Sequence, residues 1–469
     1  MYVREGLVLG LRDEPPAPAP NDGHCRTLVS SVHGVNQPSI LGPRFVPAHE
    51  HLRQMFYNVT LLQLIPRCGV DMSSYIIAGC RTPQGKYLGG LSSLRAVELG
   101  GHALSAVVKR AGIDAGSIEQ VIMGQVISAG AGQAPARQAS VLGGLPATVG
   151  AVTVNKVCGS GLYSVMLADM AIRAGEYQRV LAGGMESMSQ APHVLRQGRS
   201  GWKYGDQPLL DAVDVDGLRC ANLDVSMGCI AEWTAKDSKI SRLEQDQWAV
   251  RSHQLAIAAQ EKDAFAAEIV PITVMDAKQS VIRAMDEGPR RDCSLDGLAK
   301  LKPVFMSTAL GTENHGSVTA GNASTLSDGA AAMLIVNEAT QRSRKTDWAF
   351  RIVGHCSFAV DHQKIFTAPV GAVRKLLSKI GMSVDDVDLF EINEAFAAQT
   401  LACIRGLDIN LDRVNVRGGA IALGHPLGCS GARVLVTLMH ALVDKGLVRG
   451  IATLCLGGGE AVALMVERV

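Results

Sequence analysis

The sequence predicts an α/β fold of two similar halves separated by a large insertion. Three observations predict it. Short apolar runs alternate with helical patterns from Met72 onward, the same order of elements returns in the second half, and roughly residues 189–324 between them are more polar and carry Trp202, Trp233 and Trp248. Strands that alternate with helices point to α/β units with strands buried on both faces.

In the first half the strands are "SYIIAG", "QVIMGQVI", "AVTVN" and "RVLAGG", with "AVELGGHALSAVVKRAG" as a helix. "SGLYSVMLADMAIRAGEY" is a second helix, apolar nearly all the way round and therefore buried, with Gly175 as its cap. The insertion contains the helical pattern "RLEQDQWAVRSHQLAIAAQEKDA". The second half runs through "FRIVGHCSF", the helix "APVGAVRKLLSKIG", "DVDLFEINEAFAAQT", "DRVNVRGGAIALG", the helix "GCSGARVLVTLMHALVDKG" and a closing hairpin "GIATLCLGGGEAVALMVERV". The halves match in order of elements more clearly than in residues.

The chain has 469 residues, 47% hydrophobic and 4% aromatic, with 50 glycines and a formal net charge of +1, the composition of a soluble globular protein of two or three domains. A near-neutral balance with scattered basic residues gives no reason to expect nucleic acid or an anionic membrane as partner. No uninterrupted apolar run approaches the ~20 residues of a bilayer crossing, so no transmembrane helix is expected. Eleven cysteines, an odd number without a CxxC pair or clustered Cys/His spacing, argue against a disulfide framework and a zinc site. A reducing compartment, the cytoplasm, fits them, and no metal is expected.

Residues 1–71 stand apart, with six arginines, no lysine, the run "PPAPAP" and no sustained period. Acids such as Asp13, Glu14, Asp22, Glu50 and Asp71 fit poorly with a mitochondrial presequence, and the order of a secretory signal is missing. The segment reads as a disordered extension or as sequence upstream of the true start.

Cys158 in "NKVCGSG" sits where a strand turns into a buried helix. The helix N-terminus lowers a thiol pKa, and Gly159 and Gly161 let a substrate approach the backbone. Alone, Cys158 reads equally as a nucleophile or as a core thiol. A nucleophile needs a base and an oxyanion site. His425 precedes a helix in a glycine-rich turn, Asn393 follows an apolar strand in "EINEAF", and Cys455 ends a strand before three glycines with N–H groups free for a ligand. Each has a bland alternative: a turn histidine, a helix cap and a core cysteine.

Together "NKVCGSG", "AGGMESMSQAP", "VTAGNAS", "NEAFA", "GGAIALGHPLGCSGAR" and "CLGGGEA" resemble, in order and approximate spacing, the thiolase family over Met72 to Val469. The resemblance implies the thiolase fold: two βαβαβαββ-type halves in αβαβα layers, with an inserted coenzyme A-binding loop domain. On that pattern residues 72–188 with 325–348 form the N-terminal half, 189–324 the loop domain and 349–469 the C-terminal half. It implies Cys158 as the nucleophile that becomes a thioester, His425 as its activator and Cys455 as the acid/base at the α-carbon. Asn393 holds a water that forms one oxyanion hole with His425, and the N–H groups of Cys158 and Gly457 form the other. A Claisen condensation suits these residue types, since two tuned thiols serve as leaving nucleophile and as base.

The resemblance further implies acyl-CoA and coenzyme A as partners, no other cofactor, and a homodimer or homotetramer. Ala320 and Ser324 resemble positions that contact pantetheine, and Arg290 and Phe305 positions at the nucleotide end, where a guanidinium suits phosphate and adenine; Phe396 of "NEAF" joins the binding set. Two departures bear on the acyl group: the acetoacetyl-forming branch usually carries His-Met-Gly at Ser226, Met227 and Gly228, and a glycine at Phe366. The activity implied is that of an acetyl-CoA C-acetyltransferase, with a degradative 3-ketoacyl-CoA thiolase of longer chains as the alternative. A ketoacyl carrier-protein synthase pairs one cysteine with two histidines, a cysteine hydrolase does not need Cys455, and a silent scaffold does not need all four groups.

Overall fold

A computed structural model describes residues 73–276, 279–344, 346 and 348–469. The extension expected at residues 1–71 lies outside the described residues. The first half runs β1 (Ser74–Arg81), β2 (Gly85–Lys86), α1 (Ala96–Ala111), β3 (Gln120–Gly124), α2 (Pro135–Leu142), β4 (Gly150–Val154), α3 (Ser160–Arg173) and β5 (Arg179–Ser187). The inserted region holds the short pairs β6 (His193–Val194) with β7 (Leu210–Asp211) and β8 (Arg219–Cys220) with β9 (Val225–Ser226), then α4 (Met227–Asp237), α5 (Arg242–Glu261), the hairpin β10 (Ile272–Asp276) with β11 (Gln279–Arg283), and α6 (Leu295–Ala299). The chain returns through β12 (Ser327–Asn337) and α7 (Glu338–Ser343). The second half follows as β13 (Phe350–Ala359), α8 (Ala368–Ile380), β14 (Leu389–Ile392), α9 (Ala397–Leu407), α10 (Ala420–Leu423), α11 (Leu427–Asp444), β15 (Arg449–Leu456) and β16 (Glu460–Arg468).

Outside the short pairs of the inserted region, the strands form one mixed sheet in the order β14-β15-β16-β13-β1-β12-β5-β3-β4, with β2 on β12. Its two halves join through only two residue pairs, Tyr75 with Arg351 and Ile76 with Phe350. The alternation of side chains along β12 explains the layers. Ala331, Met333 and Ile335 face a central core with α3 and α11, whereas Ala330, Ala332, Leu334 and Val336 face α1 and α2. On the other side Val462, Leu464 and Val466 of β16 face the central helices, and Ala461, Ala463 and Met465 face α8 and α9. The result is helix, sheet, helix, sheet, helix.

Helix ends follow local chemistry. α3 stops at Arg173 because Gly175 takes a φ of 77°, and α8 stops at Gly381 with a φ of 68°, both left-handed conformations that glycine adopts without strain. α11 is apolar and long enough to cross a bilayer by length and composition, yet it is the buried helix of the central layer. Parts of the insertion pack onto the second half: Ile230 and Val318 share a core with Phe366 and Cys455, and Ala256 and Phe265 share one with Ala422 and Leu423. Buried Arg81 bridges the insertion to β1, through Glu268 at 2.6 Å and Asp286 at 2.6 Å.

Candidate active site

Five residues, 155–159, separate the end of β4 from the start of α3. So short a reversal forces Val157 to a φ of 46°, a conformation that a β-branched residue rarely adopts and that costs ~1–3 kcal/mol. Local hydrogen bonds hold it. Val157 N–H donates to Asn155 Oδ1 at 3.0 Å, Lys156 N–H to Ser160 Oγ at 2.8 Å, and that hydroxyl to the Val157 carbonyl at 2.6 Å. Cys158, next in the chain, is half-buried on the wall of a cavity of about 640 Å³.

His425 reaches the same cavity from the other half, after α10 and Gly424. Its Nδ1 lies 2.6 Å from Ser430 Oγ, whose own proton goes to the Pro426 carbonyl at 2.9 Å. Ser430 therefore accepts from Nδ1–H, which leaves Nε2 as the basic nitrogen. Asn393 Nδ2 stands 3.4 Å from that Nε2, and Asn393 Oδ1 is buried without a protein partner. Glu394, next to Asn393, accepts from Trp248, Ser252, Asn415 and the Ile421 N–H, and so anchors the "NEAF" turn.

Cys455, buried at the end of β15, also lines the cavity, with Gly457 after it. The backbone N–H groups of Gly457 and of Cys158 itself pull the Cys158 pKa down. Of the three glycines expected to offer N–H groups, Gly457 is the one that lines the cavity. Gly458 and Gly459, with φ of 91° and 92°, make the tight turn into β16.

Arg290, Phe305, Ala320, Ser324, Phe396, Ser226, Met227 and Phe366 all line this cavity with Cys158, His425, Cys455 and Gly457, and Asn393 reaches it through His425. Phe396 meets Phe366 edge-on at 5.3 Å and Phe305 at 6.3 Å, forming an aromatic wall. Gly228 admits the Phe305 ring, which a Cβ there would overlap at 2.2 Å. Ser324 N–H donates to the Ala395 carbonyl at 3.0 Å, which seats the "TAGNAS" loop on "NEAF". Among the described residues no group of three or more His, Cys, Asp or Glu side chains could hold a metal ion.

Two expectations need correction. Burial, not the helix N-terminus, dominates Cys158: desolvation raises its pKa to about 11 although the two N–H groups pull it down. Burial also lowers His425 to about 3, helped by nearby Arg433, and raises Cys455 well above an ordinary thiol. The free site thus holds neutral thiols and a neutral imidazole. Secondly, Gly159 and Gly161 do not serve substrate approach. A Cβ on Gly159 would strike Leu456 at 2.3 Å, and one on Gly161 would strike Ala432 N at 2.7 Å, so both permit packing of α3.

Sequence reasoning missed Ser430, Glu394 and Glu186. All three lie inside motifs given above, but only Ser430, five residues after His425, and Glu394, one after Asn393, stand beside a site residue, where a polar neighbour is a usable signal.

Comparison with known proteins covers nearly all of the described chain. Residues 74–339 match the family model for thiolase, N-terminal domain, and residues 346–468 that for thiolase, C-terminal domain. A probable acetyl-CoA acetyltransferase of Escherichia coli (strain K12) is 47% identical over 393 residues, 84% of this chain and 98% of the relative. A probable acetyl-CoA acyltransferase of Staphylococcus aureus (strain COL) is 45% identical over 394 residues, again 84% and 98%. The crystal structure of the Bacillus anthracis acetyl-CoA acetyltransferase matches with a TM-score of 0.81 at 40% identity, covering 85% of this chain and 99% of that one.

Proposed function

The chain belongs to the thiolase family, and from that premise we propose that it is an acetyl-CoA C-acetyltransferase, joining two acetyl-CoA into acetoacetyl-CoA through an acyl-Cys158 intermediate. The observation that carries this reading is the meeting of Cys158, His425, Cys455 and Gly457 on one cavity.

In the first half-reaction His425 Nε2 takes the Cys158 proton as the sulfur attacks the thioester carbonyl. The N–H groups of Cys158 and Gly457 stabilise the oxyanion. The carbon–sulfur bond to coenzyme A breaks, and the departing thiolate takes the Cys455 proton. The acyl-enzyme then carries a protonated His425 and a Cys455 thiolate. In the second half-reaction that thiolate removes the α-proton of another acetyl-CoA, whose enolate oxygen is met by His425 and a water on Asn393. The enolate carbon attacks the acyl group, and Cys158 leaves with the proton of His425. All three groups return to their neutral starting forms, the forms that burial favours.

Short chains are supported by Phe366, whose bulk occupies the wall with Phe396 where an acyl tail would run. A degradative thiolase of β-oxidation is the second reading, favoured by Ser226 and by relatives named acyltransferases. An open apolar pocket would gain ~0.8 kcal/mol per methylene, so four extra methylenes would add about 3 kcal/mol, roughly two hundredfold in specificity. A thiolysis series over chain length decides. Acetoacetyl-CoA should have a higher kcat/KM than 3-ketooctanoyl-CoA, and Phe366→Gly should recover part of the longer substrate's activity. A better 3-ketooctanoyl-CoA in the unmodified enzyme would make it a degradative thiolase. The nine described cysteines are all free, which supports a cytoplasmic setting, and we propose a homodimer or homotetramer as the working assembly.

A further inference from the structure

The motif "AGGMESMSQAP" supplies none of the groups in the reaction above, yet it places one carboxylate beneath the site. Glu186, on β5, is fully buried. Its Oε2 accepts from Val126 N–H at 3.0 Å and Gly428 N–H at 2.9 Å, and its Oε1 accepts from Ile127 N–H at 3.2 Å. These donors belong to different halves. Val126 also accepts, through its carbonyl, from Asn155 Nδ2 at 3.2 Å, and Asn155 Oδ1 holds the strained Val157 beside Cys158. Gly428 opens α11, two residues before the Ser430 that orients His425. One carboxylate is thus two short steps from the nucleophile on one side and from its base on the other.

We propose that Glu186 is a positioning residue which sets Cys158 against His425 by bridging the turn after β3 to the first turn of α11. The inference rests on the roles given to Cys158 and His425 above. A buried carboxylate that accepts three backbone N–H groups leaves three donors unsatisfied when lost. Misplacing a reacting pair by about 1 Å can cost ~100-fold in rate. Burial raises the Glu186 pKa to about 7, so its carboxylate is largely ionised at pH 8, where it adds a small upward push to the Cys158 pKa behind the larger effect of burial. Removing the charge while keeping the shape should therefore move two readouts in opposite directions, which loss of structure would not do.

The test uses the full chain with Glu186→Gln and Glu186→Asp, each with thiolysis kinetics, the rate of iodoacetamide alkylation of Cys158 at pH 8 followed by mass spectrometry, and the melting temperature. Glu186→Gln keeps the length and at least one carbonyl acceptor. It should lower kcat ~10–100-fold with little change in KM, while alkylation becomes several times faster. Glu186→Asp keeps the charge but not the reach, and should lower kcat without faster alkylation. A kcat within twofold of the parent in Glu186→Gln overturns the proposal. So does a joint fall in kcat and alkylation with melting temperature, the signature of a merely structural residue. Acetyl label on a cysteine other than Cys158 in the unmodified enzyme would overturn the underlying roles, and this inference with them.

Discussion

The two halves begin their central helices with the same device and use it to present different side chains. α3 opens with Ser160 and Gly161, and α11 carries Ser430 and Gly431 in its first turn. Each serine donates to a carbonyl just before it, Ser160 to Val157 at 2.6 Å and Ser430 to Pro426 at 2.9 Å. Each glycine meets the other helix: a Cβ on Gly161 would lie 2.7 Å from Ala432 N, and one on Gly431 would lie 2.3 Å from Leu162 N. The approach differs. β4 turns into α3 through a strained Val157 and leaves Cys158 half-buried at the cavity. The second half detours through α10 and Gly424, and His425 arrives almost fully buried, 5% exposed. The scaffold is repeated, and the path into each helix decides which chemistry it carries.

Removing either presented group breaks this comparison outright. Cys158→Ala should abolish acetyl transfer by at least ~10⁴-fold, the scale for a covalent nucleophile. His425→Ala should impair both half-reactions, since it serves the nucleophile and the enolate. Cys455→Ala should leave acetylation of Cys158 detectable while condensation slows by at least ~100-fold. Labelling with radioactive acetyl-CoA and a coupled condensation assay separate the two steps. Equal losses of both steps in Cys455→Ala would remove its separate role.

A pH profile sharpens the comparison by asking whether the pair rests neutral. With Cys158 near 11 and His425 near 3, the thiolate fraction grows with pH throughout the working range. Iodoacetamide alkylation should therefore rise about tenfold per pH unit from pH 6 to pH 9, because only the thiolate reacts. A plateau near neutrality would mean a preformed thiolate–imidazolium pair and would refute the neutral resting state.

Much of this was legible in sequence, because reactive groups stand in short contiguous motifs. Cys158, His425, Asn393 and Cys455 each belong to one, and the strand–helix alternation located the central helices. The ionisation state was not legible. The helix N-terminus beside Cys158 is a local feature, whereas the burial that outweighs it comes from segments distant in sequence. Glu186 was passed over for the same reason, since its three donors come from residues 126, 127 and 428. Glycine roles were misread because "CGSG" shows that side chains are missing but not which backbone fills the space.

Glycine substitution gives the smallest expected effect and the most direct test of the repeat. The central helices touch through backbone atoms at Gly161 and Gly431, so an added methyl cannot be absorbed by turning a side chain. Gly161→Ala and Gly431→Ala should each destabilise the protein by about 2–3 kcal/mol, the upper range for overpacking. Activity should fall as well, because both helices carry the site. Beyond the other ends of the same helices stand Gly175 and Gly446, with φ of 77° and 66° and nothing within 4 Å of an added Cβ. There alanine meets only the left-handed backbone, which costs ~1–2 kcal/mol, and activity should stay near that of the parent. Urea unfolding of the four variants, with kcat measured on each, separates contact from conformation. If Gly161→Ala and Gly431→Ala are as mild and as active as Gly175→Ala, the helices do not meet backbone to backbone and the mirrored seam is wrong. If Gly161→Ala alone is severe, the strained turn before Cys158, not the helix contact, governs the packing of this layer.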